Sequence, residues 1–344
     1  MKRAEIFLLA ALALLWGAQT ALIPAPPASG GGRTSWQEQQ EKTVGELRRT
    51  MATDRTMLQD KLRRDPSLWW RFQTVVFGLM LISAGVFYQW GRLLFRLLFF
   101  GGPEPPLGSP PPATWGFRQI FRIALLVLLV LQGSSLLQAI LFRLFHPLWL
   151  DRRVAALADT LLVDGVAAAG ACGFLFRGRG ARGGLARIPA FIQFAFRSYL
   201  LAVPLLMGIL AAVAVVLNLL KIQPAPQPIF TIYLSEQRTL VVRSLLLLAV
   251  VAGPVAEEIF FRGLLYGWLR QRAGIPAGLI LSAFFFALLH MDAVAFFPIF
   301  GLGLLFGWVY ERTGSLTAPI AIHIFHNSGM LFVASLIKGL VAQG

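Results

Sequence analysis

The sequence predicts an all-α protein, a polytopic bundle of transmembrane helices with about eight or nine spans. Three observations carry that prediction. Hydrophobic residues make up 57% of the 344 and charged residues only 14%, far from the balance of a soluble globular chain. The apolar residues gather into long runs, several of them of span length. The excess of 31 Lys and Arg over 16 acids, a net charge of +15, is concentrated in short loops between those runs, where it reports topology. No aromatic-interleaved basic module accompanies the charge, so nucleic acid is excluded as a partner. The lone Cys172 lies in an apolar run, which excludes an intramolecular disulfide and a Cys-rich metal site.

Residues 1–23 read as a signal peptide or a first transmembrane helix: Lys2 and Arg3 precede an apolar core from Ile6 to Trp16, with small residues at Ala18 and Ala21. Residues 24–71 form an extracytoplasmic segment. After a Pro/Gly linker, Val44, Leu47, Met51, Leu58 and Leu62 recur at near-heptad spacing between Ser35 and Asp65, the pattern of an amphipathic helix outside the membrane with a face for self-association or for a partner, a solvated charged helix being the alternative.

Residues 72–237 hold accessory spans. The first, Phe72 to Trp90, is followed by a Pro-rich linker at 101–114, too rich in proline for helix or sheet and expected to act as a semi-rigid spacer. Further spans run from Ile120 to Phe142, Val154 to Phe176 and Tyr199 to Leu220. Asp159 and Asp164 sit inside the run from Val154; five residues apart they share a helix face poorly, and they read as polar residues facing the bundle or contacting a basic loop. Arg177, Arg179, Arg182, Arg187 and Arg197 follow with no acid among them, which puts that loop in the cytoplasm and residues 35–65 on the opposite side. Residues 238–338 contain four more runs: Leu240 to Arg270, Pro276 to His290, Ala293 to Tyr310 and Leu316 to Leu336.

The first of these four carries Glu257, Glu258 and Arg262 within six residues. Charge at membrane depth costs about 2.5 to 3.5 kcal/mol per group, so these side chains should face a protein interior and use one another. Glu258 and Arg262 are four apart with the acid first, the better order for an ion pair on a helix. Glu257 is then the carboxylate left for chemistry, as a general base. Three histidines follow in the next runs, at 290, 323 and 326. With a turn near Ala273 and Gly274, Glu257 and His290 each lie roughly 25 Å from it along straight helices. With a turn near Gly314, His323 and Asn327 lie about 14 and 20 Å from theirs. The pairs Phe286/His290 and His323/Asn327 are each spaced to share a helix face. One helix thus offers a base and an ion pair, a second an imidazole, and a third an imidazole with a carboxamide that can donate to an oxyanion.

Glu257-Glu258-x-x-x-Arg262, Phe286-x-x-x-His290 and His323-x-x-x-Asn327, with Gly314-Ser315-Leu316-Thr317-Ala318-Pro319 leading into the last, resemble the three motifs of the CPBP family of intramembrane proteases. That family includes the type II CAAX prenyl proteases and the bacterial Abi-type immunity proteins. The resemblance covers roughly residues 240–335 and implies a CPBP-type catalytic domain over 238–338. It implies that Glu257 with His290 activates a water, that Glu258 with Arg262 holds the first helix, and that His323 and Asn327 stabilise the oxyanion; His326 inherits no role. The substrate would be a membrane protein or peptide in the bilayer, and the signal-like start and short loops suggest a multi-pass protein of a bacterial cytoplasmic (inner) membrane. A metal-free or weakly metal-dependent site is preferred; zinc held by Glu257, His290 and His323 is the alternative. Two further functions stay open: a non-catalytic binding or immunity protein of the same fold, and a secondary transporter using the buried ionisable groups as a relay, which the lack of an inverted repeat disfavours.

Overall fold

A computed structural model describes residues 9–15, 63–100, 106–145, 152–175, 187–222, 233, 236 and 238–341. Every regular element among them is helical, and five segments, Pro66–Leu98, Phe117–Leu141, Ile188–Leu219, Thr239–Leu288 and Thr317–Leu336, are long and apolar enough to cross a bilayer. Most of the expected signal segment and of the helix at 35–65, the arginines at 177–182, and the start of the 101–114 linker lie outside the described residues; 9–15 is helical.

We number the helices α1 Pro66–Phe100, α2 Phe117–Phe145, α3 Arg152–Leu175 and α4 Ile188–Leu219. Helix α5 begins as Thr239–Leu247 and passes through a π-helical turn at Leu248–Ala252, an α turn at Gly253–Glu258 and a second π stretch at Ile259–Tyr266. It continues into Gly267–Leu288, where Gly274, at φ 81° and ψ 173°, interrupts the helix. That conformation is open to glycine and strained for other residues, so Gly274 ends α5, and α6 occupies 275–288. Helices α7, Phe296–Thr313, and α8, Thr317–Val341, complete the chain.

The boundaries shift from expectation for local reasons. Helix α1 starts earlier than Phe72 because Oδ1 of Asp65 accepts hydrogen bonds from the backbone N–H groups of Ser67 (2.8 Å) and Leu68 (3.2 Å), capping its first turn. Helix α4 starts at Ile188 rather than Tyr199: Pro189 occupies its first turn, where a missing N–H costs nothing, and Phe191, Phe194, Ala195 and Ser198 are buried.

The chain divides into two compact units, the first made of Met1–Gly32, Pro111–Gly184 and Arg238–Ser282, the second of Arg33–Pro110, Leu185–Gln237 and Ala283–Gly344. In the first, α2 packs on α3, and α3 on the α and π turns of α5. Gly170 lets α3 come close to α2; a Cβ there would lie 3.1 Å from the Ile123 side chain. Asp159 is tied to α2: it accepts from the Ser134 hydroxyl and, at 2.9 Å, from Nε2 of Gln138. Trp115, almost fully buried, donates its indole N–H to the carbonyl of Leu264 (2.9 Å) in the second π stretch, where the widened turn does not leave every carbonyl its α-helical partner.

In the second unit α4 packs against α1, α7 and α8. Phe194 stacks on Trp308 with ring centroids 5.5 Å apart, and Gly303 is close enough to α6 that a Cβ would lie 3.0 Å from Ala283. The described end of the Pro-rich linker is pinned, not a hanging spacer. The N–H groups of Leu107 (2.9 Å) and Gly108 (3.2 Å) both donate to the Arg312 carbonyl, and Arg187 donates to the Leu107 carbonyl at 2.6 Å. Gly314, the left-handed cap of α7 at φ 66°, lies directly against the Ser109 backbone.

Candidate active site

In the first unit the short α turn Gly253–Glu258 is bracketed by π turns. Each π turn adds a residue to the helical circuit and re-aims the side chains that follow, which is why such turns recur at functional positions. Glu258 and Arg262 lie across the second transition, both 0% exposed, with Nη1 of Arg262 3.0 Å from Oε1 of Glu258. The guanidinium carbon also stands 5.9 Å from the Phe261 ring centroid. The expected ion pair is therefore present and fully desolvated. Behind it, the Ser282 hydroxyl donates to the Phe261 carbonyl at 3.1 Å. Glu257 is half-buried. Its Oε1 and Oδ2 of Asp164 on α3 converge over Gly253, within 3.9 and 3.7 Å of the point a Cβ would occupy.

The second unit holds the imidazoles. His290 follows the end of α6 in a turn instead of extending the helix: its own N–H donates to the Ala287 carbonyl, and Met291 next to it adopts a φ of 53°. It is exposed, yet its ring is oriented. Nδ1 lies 2.8 Å from the carbonyl oxygen of Phe286. A carbonyl only accepts, so Nδ1 carries a proton and Nε2 is the ring nitrogen left to meet a water. Phe286 also packs its ring edge-on to His290 at 4.9 Å and to His323 at 5.9 Å. His323, on α8 and 5% exposed, stacks on Phe306 at 4.7 Å. The two imidazoles thus share Phe286 as a wall. Asn327, half-buried, lies one turn beyond His323 on α8, and between them Nδ1 of His326 meets the Tyr199 hydroxyl of α4 at 2.9 Å.

Sequence reasoning gave no role to two neighbours, Tyr199 and Phe306. Tyr199 carried the one signal that could have singled it out, a hydroxyl in an apolar run; Phe306 had none. Asp164 was visible as an ionisable group in a span, but the five-residue spacing from Asp159 concealed that the two serve different partners: α2 for Asp159, α5 for Asp164.

Residues 239–329 match the family model described as Type II CAAX prenyl endopeptidase Rce1-like, a family of proteases. No curated protein and no solved structure matches the chain.

Proposed function

With an Rce1-like domain of the CPBP/CAAX protease family at residues 239–329 of a multi-pass membrane protein, we propose that the chain is an intramembrane endopeptidase that hydrolyses a peptide bond of a membrane-associated protein or peptide. The observation that carries the proposal is the oriented His290, whose Nδ1 is committed to the Phe286 carbonyl and whose Nε2 can bind a water.

On this reading Glu257 and His290 act on one water. As its oxygen attacks the scissile carbonyl carbon, a proton passes to the Glu257 carboxylate and the carbonyl electrons move onto oxygen. His323 and Asn327 donate hydrogen bonds to that oxyanion. Collapse re-forms the carbonyl, breaks the C–N bond and returns the proton from Glu257 to the leaving amine. Glu258 and Arg262 hold the helix in place. Zinc is the alternative agent for water activation. Among the described residues no three His, Cys, Asp or Glu side chains gather to hold a metal ion, and no step is routed through one.

The test uses the full chain purified in detergent, a farnesylated peptide ending in a CAAX sequence, and an unprenylated membrane-spanning peptide, since nothing in the sequence selects a prenyl site. Cleavage of either is expected, and Glu257→Gln, nearly isosteric but unable to act as a base, should lower the rate by about two to four orders of magnitude. Chelation followed by zinc addition runs alongside: loss restored by zinc replaces the carboxylate-and-imidazole mechanism with a metal site. Full function of Glu257→Gln in cells would assign the protein a binding role instead.

A further inference from the structure

Tyr199 stands outside residues 239–329, which match the family model, yet its hydroxyl reaches the turn of α8 that carries both oxyanion donors of the mechanism. It lies on α4, in the same unit as α7 and α8. Two contacts with α7, one on each side of it along α4, make it a fixed point. Before it, Phe194 stacks on Trp308 at 5.5 Å. After it, Leu206 and Ile209 close on Gly301, where a Cβ would lie 3.1 and 3.2 Å from their side chains. Helix α7 also carries Phe306, the ring that stacks on His323 at 4.7 Å.

The turn of α8 from His323 to Asn327 is thus held by two sets of contacts. Phe286 and Phe306 take His323. From α4, Phe196 meets the Phe325 ring edge-on at 5.0 Å and Tyr199 meets it at 5.8 Å. Aromatic pairs hold over centroid distances of about 4.5 to 7 Å, so ring packing alone leaves α8 room to slide or rotate. The Tyr199 hydroxyl and Nδ1 of His326, 2.9 Å apart, form the directional contact. Whichever atom carries the proton, such a bond survives only within a narrow range of distance and angle. A helical turn moves as one body, so a pin at His326 sets the height and rotation of His323 one turn before it and of Asn327 next to it.

We propose that Tyr199 is a positioning residue for the hydrolysis: through its hydrogen bond to His326 it fixes the turn of α8 against α4, and so fixes where His323 and Asn327 meet the oxyanion. This rests on the endopeptidase reading. Neither Tyr199 nor His326 exchanges a proton with substrate or water, so the balance of the reaction is unchanged.

The experiment measures kcat and KM of the full chain in detergent on the peptide that wild type cleaves, with the folded fraction of each variant read by size-exclusion chromatography. Tyr199→Phe keeps the ring that packs on Phe325 and removes only the hydroxyl. It should lower kcat per folded molecule about 10-fold, a fraction of the about 100-fold that a 1 Å misplacement can cost, with KM little changed. His326→Leu should lower kcat by a similar factor. His326→Asn, whose carboxamide puts a polar atom where Nδ1 stands, should keep the bond to Tyr199 and most of the rate. The double variant Tyr199→Phe/His326→Leu should be no slower than either single variant, because the two residues act as one contact.

A merely structural pair would lower the folded fraction and leave kcat per folded molecule untouched, which overturns the proposal. So does a His326→Asn variant as slow as His326→Leu, or a double variant in which the two losses multiply. A double variant that returns to the wild-type rate also overturns it, since the loss then came from an unpaired nitrogen and not from the missing pin. Should His326→Leu not fold, Tyr199→Phe and His326→Asn decide. Glu257→Gln separates the two levels: if it is inactive while Tyr199→Phe cleaves normally, only this inference falls, and if it cleaves normally, or wild type cleaves nothing, both fall.

Discussion

Removing the Glu258 carboxylate should destabilise the protein far more than removing any exposed charge. The pair is fully buried on both sides at 3.0 Å, so Glu258→Ala leaves the Arg262 guanidinium desolvated without the carboxylate that compensates it. Breaking a buried pair from one side costs about 3 to 5 kcal/mol, and at about 1.4 kcal/mol per decade that is roughly two to three and a half decades in the ratio of folded to unfolded protein. Whole-domain stabilities are about 5 to 15 kcal/mol, so the loss should be plain in any bulk assay. A fluorescent-tagged variant extracted in detergent, heated in steps and run on size exclusion should lose its monodisperse peak several degrees below wild type. The double variant Glu258→Met/Arg262→Met, which replaces both charges with apolar side chains of similar length, should regain much of the loss, because exchanging a buried pair for packing atoms is often close to neutral. A Glu258→Ala midpoint indistinguishable from wild type, with the double variant no better, would refute the assignment of this pair to the stability of α5.

Gly314→Ala should cost at least about 1 to 2 kcal/mol, the penalty of a left-handed residue with a Cβ, because φ there is 66° and the Ser109 backbone lies against the glycine; the melting midpoint reports it, and an unchanged midpoint counts against the interlock. We expect a bacterial cytoplasmic membrane with the arginines between 177 and 197 inside and residues 35–65 outside, since the former stretch has no acid. Single cysteines introduced in a Cys172→Ala background should label from opposite faces, and labelling of both from one face would overturn the orientation.

The helical class and the major breaks were legible because they rest on single residues with strong backbone preferences: Gly274 and Gly314 end helices where the sequence places turns, and both adopt positive φ. Glu258 and Arg262 were legible because i,i+4 spacing survives the passage into the π stretch. The π turns were not, since no residue type specifies them; they arise where packing against α3 and Trp115 outweighs the α-helical hydrogen bond. Their presence shortens the rise along α5, so depth arithmetic at a constant 1.5 Å per residue overstates how far Glu257 lies from the Gly274 break. His290 was expected on a helix face, whereas α6 ends two residues before it and the ring is held by one carbonyl. That Asp164 of α3 and Glu257 of α5 both face the Gly253 backbone follows from the packing of two helices remote in sequence, which no spacing rule within either helix can express.

The interlock of Gly108 and Ser109 with Thr313 and Gly314 also bears on how the molecule is made. The two segments lie roughly two hundred residues apart, and although closing so long a loop costs only slowly more with length, the contact cannot form until the α7–α8 turn has been synthesised. During synthesis the stretch after α1 must therefore wait, its backbone donors exposed to other partners, while the six helices α2 to α7 are made. A chain that stalls before that turn would present the Leu107 and Gly108 N–H groups without the Arg312 carbonyl, a local mark of incompleteness that the finished chain removes by pairing both.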